Sequence, residues 1–292
     1  MSKIAPIYSI IIPHHNSPDT LIRCIDSIPD SDRFQIIVVD DCSNTCNVSD
    51  ILFNRQFPIV ICKQNTCQGA GAARNEGLKK AEGQWILFAD ADDYFMPDFE
   101  YVLDEAVQQN KDIVYFNIDV EKNDSVQGKK YHKIVSEYDG TKDKTLKLKY
   151  SSWTPWAKLF RHSLITDNKL YFEPRRKGND CFFVLNAALS ATDIAVINIP
   201  VYHLTYSSNS LSHTNTKRWD YMLDVYDLWL WRYFFYKTNH IPLWQNYNIY
   251  YLLKEIYRNF GFKKSIDFYR CSKKYNYSYK DLILNKLKFH KR

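Results

Sequence analysis

Carboxylates follow short apolar runs at two places in this chain. The run Ile36-Ile-Val-Val39 leads into Asp40-Asp41-Cys42-Ser43, and Trp85-Ile-Leu-Phe88 leads into Ala89-Asp90-Ala91-Asp92-Asp93. Short apolar runs bounded by polar turns read as buried strands. Both acidic groups are therefore expected at the C-terminal ends of strands, where open α/β sheets bind ligands. Asp90, Asp92 and Asp93 repel one another unless a cation or hydrogen-bond donors lie among them. A hard divalent ion with oxygen ligands, Mg2+ or Mn2+, shared with a phosphate, suits such a cluster. A solvated turn with an N-capping aspartate is the alternative.

A second constellation is Gly69-Ala-Gly-Ala-Ala-Arg-Asn-Glu-Gly77. It nearly fits the dinucleotide fingerprint G-x-G-x-x-G, but Arg74 takes the third glycine's place and the segment follows the third apolar run, not the first. This argues against a nicotinamide-dependent oxidoreductase. An arginine on a small-residue helix beside an acidic site suits a nucleotide base or phosphate; otherwise Arg74 is a surface residue. A third candidate, Asp180, follows the basic loop Glu173–Gly178, either as a working carboxylate or as the cap of the next helix.

The elements that must position these groups alternate between strand and helix, the rhythm of βα units and a largely parallel sheet. Strands are expected at Tyr8–Ile12, Gln35–Asp40, Pro58–Cys62, Gln84–Ala89 and Asp112–Ile118. Helices are expected at Thr20–Ser27, Gly69–Glu82 and Asp98–Gln109, the last opened by Pro97. Glu121–Lys130 reads as a hairpin tip or loop. A helix over Asp180–Leu189 and strands near Asp193–Ile197 and Val201–Tyr206 follow, and the chain beyond Lys217 is patterned as helix.

Composition adds an asymmetry. The 292 residues carry a formal charge of +6. Residues 217–292 hold 22 of the aromatic residues, with 16 Lys/Arg against 6 Asp/Glu, so the preceding residues are net acidic. No secretory signal is evident at the N-terminus, and the apolar runs fall far short of the roughly 18–20 residues needed to span a bilayer. The seven cysteines include no Cys-x-x-Cys pair. The Cys42/Cys46 and Cys62/Cys67 spacings lack a downstream Cys/His pair for zinc, so free thiols in a reducing cytosol are expected.

Taken in order, Ser9-Ile-Ile-Ile-Pro-His-His-Asn16, the segment Ile36–Ser43, Gly69–Asp93 with Tyr94–Asp98, Trp153–Ile165, Gly178–Phe183 and Val201–Leu211 resemble the inverting family 2 glycosyltransferases of bacterial surface polysaccharides. The likeness spans about residues 7–213. It implies an α/β GT-A fold, with a mostly parallel central sheet flanked by helices and a C-terminal helical extension. By position it implies that Asp41 hydrogen-bonds the uracil of a UDP-sugar, with Pro13, His15, Asn16 and Arg74 around the nucleotide. Asp90-Ala91-Asp92 matches the DxD signature, with Asp92 and Asp93 toward a Mn2+ or Mg2+ ion. Asp180 would be the general base that deprotonates the acceptor hydroxyl, giving inversion by single displacement. Asn179 stands where the family has Glu. Trp153, Trp156, Lys158, Asn179, His203 and His213 are weaker candidates for sugar or diphosphate contacts.

The expected domains are a catalytic region over 1–216, with a nucleotide-sugar half at 1–118 and an acceptor half at 119–216, and a basic aromatic helical region at 217–292. That last region suits either a peripheral contact with the inner face of the cytoplasmic membrane or packing within the protein. The expected partners are a UDP-sugar donor and a saccharide or lipid-linked saccharide acceptor, without nucleic acid. Competing readings are a nucleic-acid binder acting through the basic tail and a metal-dependent nucleotidyltransferase.

Overall fold

The apolar runs assemble into one eight-stranded sheet in the computed structural model, which describes residues 5–51, 54–119, 126–175, 178–205, 218–242 and 249–275. The strands are β1 (Tyr8–His14), β2 (Phe34–Asp40), β3 (Val60–Lys63), β4 (Trp85–Phe88), β5 (Tyr94–Phe95), β6 (Ile113–Asp119), β7 (Lys158–Arg161) and β8 (Ile194–His203), in the spatial order β3-β2-β1-β4-β7-β6-β8-β5. β1 to β4 pair in parallel, β7 runs antiparallel to β4 and β6, β6 pairs in parallel with β8, and β5 runs antiparallel to β8. Ile10, Ile11 and Ile12 of β1 are all fully buried, as a parallel strand covered on both faces requires.

The helices are α1 (Pro18–Asp26), α2 (Ala70–Lys80), α3 (Phe99–Gln108), α4 (Val126–Ser136), α5 (Lys142–Ser151), α6 (His162–Asp167), α7 (Asn179–Ser190), α8 (Trp219–Thr238) and α9 (Ile249–Ser272). α2 lies directly against β1, and a Cβ at Gly77 would run into Ile11. Phe88 at the end of β4 meets Phe160, Phe172 and Phe183 at ring-centroid distances of 5.8, 5.0 and 5.3 Å. This aromatic cluster ties the sheet to α7 and fixes where that helix begins.

Two local expectations are corrected. Residues 126–130 belong to α4 and not to a hairpin tip, because Tyr131, Ile134 and Val135 supply a buried helical face. The Tyr131 hydroxyl donates to the carbonyls of Phe116 and Ala157, both at 3.0 Å. The two strands expected after residue 192 are one strand, β8, whose pairing with β6 shifts register on either side of Asn117. Pro200 lies opposite Asn117 and has no N–H to donate, so the ladder is interrupted without ending.

The chain divides into two compact units, Met1–Arg175 with Asn179–Ser210, and Arg176–Gly178 with Leu211–Arg292. Within the second unit α8 and α9 pack on each other through aromatic side chains. Trp219 meets Phe260 at 5.2 Å, and Tyr226 meets Phe268 at 6.0 Å. The Tyr226 hydroxyl lies 3.2 Å from the Glu255 carboxylate, and the Tyr275 hydroxyl donates to Asp227 at 3.0 Å. α9 is broken at Gly261, whose φ is 83°. Among the described residues no helix is long and apolar enough to cross a membrane.

Candidate active site

The parallel strands β1, β2 and β4 bring their C-terminal ends to one edge, and the residues just beyond them form the site. After β1, His15 Nδ1 donates to the Asp41 carbonyl at 2.8 Å. Asn16 adopts φ 52°, which an asparagine tolerates. Its Oδ1 accepts from the N–H groups of Asn44 and Thr45 at 2.9 and 3.0 Å and from the Thr45 hydroxyl at 2.8 Å. Asn16 therefore fastens the loop after β1 to the loop after β2. Asp41 is 7% exposed. Its two carboxylate oxygens accept from the backbone N–H groups of Gln68 at 2.7 Å and Gly69 at 2.8 Å. Gly69 has φ 87°, a conformation glycine adopts without steric cost. Asp41 thus anchors the start of α2, and Pro13 lies half-buried at the foot of this corner.

The free-thiol expectation fails at this same corner. Cys42, next to Asp41, is disulfide-bonded to Cys67, next to Gln68, with a Cα–Cα distance of 5.1 Å. The spacings weighed for zinc, Cys42/Cys46 and Cys62/Cys67, do not point to this bond. The pairing depends on the crossover between β2 and α2, which cysteine spacing does not reveal.

After β4 the acidic loop has an internal order. The Tyr202 hydroxyl accepts from the Asp90 backbone N–H at 2.7 Å and donates to the Asp93 carboxylate. Asp93 also accepts from the Thr205 N–H at 2.8 Å and is 4% exposed. Burial pushes Asp93 well above the usual carboxylate range, reinforced by the charges of Asp90 and Asp92. Burial also raises Asp92, with the Asp90 charge adding to the shift. Asp93 is thus held behind the loop by its own donors, whereas the Asp92 carboxylate has only its own backbone N–H as a donor among the described residues. Arg23 braces the loop from α1, donating to the Asp92 carbonyl at 2.6 Å and to the Thr205 hydroxyl at 2.9 Å.

Arg74 joins the two sides of the site. It is 5% exposed and lies over the Phe172 ring at 5.3 Å. One terminal nitrogen donates to Asp90 Oδ1 at 2.5 Å, and the other to Asn179 Oδ1 at 3.0 Å. Asn179 opens α7, and Asp180 follows it in the first turn. Burial raises the Asp180 pKa, opposed by the Arg74 charge and reinforced by Asp90. The contact is close because Gly71 has no side chain: a Cβ there would lie 2.8 Å from the Asn179 Cβ and 2.9 Å from the Glu173 carbonyl. The result brings Asp180 within electrostatic reach of both Asp90 and the Arg74 guanidinium.

The weaker candidates fall elsewhere. Lys158 is 1% exposed, and its Nζ donates to the Thr154 carbonyl at 2.6 Å. It sits over Tyr131 at 4.4 Å, with Tyr115 and Trp156 further out, and burial depresses its pKa well below the ordinary lysine value. Trp156 is buried between Tyr131 and Tyr202. These two are core groups beneath the site, not surface for a sugar. Trp153 is half-buried, with Lys130 over its ring at 5.7 Å. His203 is buried, stacks on Tyr94 at 4.5 Å and pairs with Asp119 at 2.7 Å, within the β5–β8 edge of the sheet. His213 lies outside the described residues.

Sequence reasoning did not single out Tyr202, Thr205 or Arg23. Tyr202 and Thr205 lie within a segment that carries the family likeness, so position alone could have drawn attention to them. Arg23 stands in an ordinary amphipathic helix and gives no such signal.

The sheet, the acidic loop after β4 and the carboxylate opening α7 define a nucleotide-diphospho-sugar transferase architecture of the GT-A kind. The family model described as Glycosyl transferase family 2 matches residues 9–167, and the chain belongs to that family. It is 27% identical over 207 residues to the poly(ribitol-phosphate) beta-N-acetylglucosaminyltransferase TarS of Staphylococcus aureus, a match covering 67% of this chain and 35% of that relative. It is 27% identical over 228 residues to the putative glycosyltransferase EpsH of Bacillus subtilis, covering 73% of this chain and 64% of that one. The crystal structure of S. aureus TarS 1-349 in complex with UDP-GlcNAc superposes with a TM-score of 0.63 at 24% identity, covering 77% of this chain and 65% of that one. The chain thus spans about a third of TarS and just under two thirds of EpsH.

Proposed function

We propose that this chain is an inverting glycosyltransferase that moves a hexose or N-acetylhexosamine from a UDP-sugar to a hydroxyl of a surface glycan or lipid-linked saccharide. The observation that carries the reading is the Arg74 bridge from Asp90, on the nucleotide side, to Asn179 beside Asp180. A donor and its attacking hydroxyl need such a fixed separation between the two sides. The acceptor class is supported by relatives such as TarS, a poly(ribitol-phosphate) beta-N-acetylglucosaminyltransferase.

The corner made by Pro13, His15, Asn16 and Asp41 would take the uracil, with Asp41 rigid because both of its oxygens already hold the start of α2. Asp92, with the second oxygen of Asp90, fits a hard divalent ion, Mn2+ or Mg2+. Burial and mutual repulsion leave these carboxylates in need of positive charge, and Asp93 supports them from behind. Such an ion would neutralise the charge that develops on the leaving diphosphate. Asp180 would take the acceptor proton, and its raised pKa makes it a stronger base than an exposed aspartate. The α7 aspartate acts alone, so attack from its side inverts the anomeric carbon. Residues 217–292 would serve the membrane periphery of the inner leaflet, where the exposed Phe262 beside Lys263 on α9 suits an anionic surface.

The test is UDP release from UDP-Gal, UDP-Glc, UDP-GlcNAc and UDP-GalNAc with Mn2+, each with and without glycan acceptors. Turnover of one donor that Asp180→Asn abolishes, with UDP affinity preserved, is expected. Undiminished turnover in that variant would remove Asp180 as the base, and no turnover of any UDP-sugar would overturn the reading.

A further inference from the structure

Cys42 and Cys67 lie on either side of one structural joint. Cys42 directly follows Asp41, and Cys67 directly precedes Gln68 and Gly69, whose N–H groups the Asp41 carboxylate accepts. The Cα–Cα distance of 5.1 Å is within the range a disulfide spans. Cys67 is exposed and Cys42 partly so, which leaves the pair open to small thiols. None of the other five cysteines is disulfide-bonded, so the pairing is selective.

We propose that Cys42 and Cys67 form a reversible thiol–disulfide pair that sets how firmly the nucleobase corner is held. The proposal rests on the nucleotide reading of that corner given above. The two N–H bonds to Asp41 and the covalent link together pin the end of β2 to the start of α2. In the dithiol form the hydrogen bonds alone hold the joint, and the loop between the cysteines regains the freedom that a crosslink removes. A donor that binds there must then order the corner itself, which lowers its affinity.

The chemistry balances with a low-molecular-weight disulfide such as oxidised glutathione. The Cys67 thiolate attacks one glutathione sulfur, breaking that S–S bond, forming a mixed disulfide and releasing one glutathione. The Cys42 thiolate then displaces the second glutathione and closes the Cys42–Cys67 bond. Two electrons pass from the protein to glutathione, and both thiol protons leave on the released thiols.

The nearest rival is a soft metal site, because ligand atoms of His15, Cys42 and Cys67 all lie within 4.8 Å of one another. His15 opposes it. Its Nδ1 donates to the Asp41 carbonyl, and its Nε2 accepts from the Asn16 amide at 3.0 Å, so neither ring nitrogen is left for an ion.

The experiment equilibrates the purified full chain in glutathione buffers of graded ratio, alkylates it, and measures the Cys42–Cys67 crosslinked peptide by mass spectrometry beside UDP affinity by calorimetry with Mn2+ present. A crosslink that rises with the oxidised fraction, with UDP binding on the order of tenfold tighter in the oxidised form, is expected. Cys67→Ser should bind UDP like the reduced chain in every buffer. Oxidation should also raise Tm by several degrees. No crosslink in oxidising buffer, or a crosslink with equal UDP affinity in both states, overturns the proposal. So does stoichiometric Zn2+ retained by the reduced chain and lost in His15→Ala. Absence of UDP binding in both states overturns the nucleotide reading and the coupling with it, while the crosslink is still scored by mass.

Discussion

Arg74 donates to the Asp90 carboxylate at 2.5 Å while its other terminal nitrogen holds the side-chain oxygen of Asn179. A residue of α2 therefore sets the spacing between the loop after β4 and the first turn of α7. The planar guanidinium supplies two divergent donors at once, which a lysine ammonium on a flexible stem does not reproduce.

Arg74→Lys should consequently retain the charge and lose the span. A drop of roughly tenfold to a hundredfold in kcat/KM for the donor is expected, the scale of one charge-assisted hydrogen bond. Steady-state kinetics with the active UDP-sugar reads it, with circular dichroism to verify the fold.

The pH profile should carry the mark of Asp180. Burial raises its pKa, so the base form is lost at a higher pH than for an exposed aspartate, whose value is about 4. Turnover should fall on the acid side with a single-proton slope, its midpoint above that ordinary value. Asp180→Asn should lower kcat by about 10²–10⁴-fold across the whole profile.

Tyr202→Phe removes one hydroxyl that serves two partners. The Asp90 N–H loses its acceptor and Asp93 loses a donor, a cost of about 1–3 kcal/mol for the buried groups left unpaired. Thermal denaturation should show a fall of roughly 2–4 °C for each kcal/mol. Mn2+ affinity should weaken in parallel, because Asp93 is then held by the Thr205 N–H alone.

Gly71→Ala should push the start of α7 away from α2. The new methyl meets a backbone carbonyl and a Cβ, neither of which can swing aside, and overpacking of this kind costs about 1–3 kcal/mol. Transfer should suffer more than stability, since Asp180 moves with the helix. Comparing kcat with Tm for the same variant separates the two effects.

Divalent ions should stabilise the chain in a pH-dependent way. Asp92 and Asp93 have raised pKa values in the fold, so between the ordinary aspartate value and those raised values the native state binds more protons than the unfolded chain. Stability without ions should therefore increase as pH falls through that window. Mn2+ should raise Tm most at neutral pH and progressively less in acid, and EDTA should reverse the gain. A thermal-shift series over pH 5–8 measures it.

Most of the parallel half of the sheet was legible because β1, β2 and β4 are apolar runs with acidic ends, and a strand buried on both faces leaves that pattern. The failures have local causes. α4 was hidden because its buried face rests on Tyr131 within a lysine-rich segment, which reads as solvated. β8 was divided in two because Pro200 looks like a terminator, although the register shift beside Asn117 accommodates it. At the ends of those strands, motif order picks out Asp41, Arg74, Asp90 and Asp180, which the fold brings to one edge of the sheet. Sequence leaves open which of Asp90, Asp92 and Asp93 would face an ion, because it cannot show Tyr202 and Thr205 donating to Asp93. Lys158 and Trp156 suggest sugar contacts by type, but both are buried among aromatic rings.

The bonds from Asp41 to Gln68 and Gly69 have a bearing on how an anionic ligand could enter. In dinucleotide-binding folds the exposed amides at a helix start receive the diphosphate. Here an internal carboxylate has already claimed the amides at the mouth of α2, so that positive pole is largely cancelled from within. A diphosphate arriving alone would meet Asp90 and Asp92 with little to balance its charge. On the proposed reading the countercharge would arrive with it: nucleotide and cation should each bind weakly alone and more strongly in the other's presence.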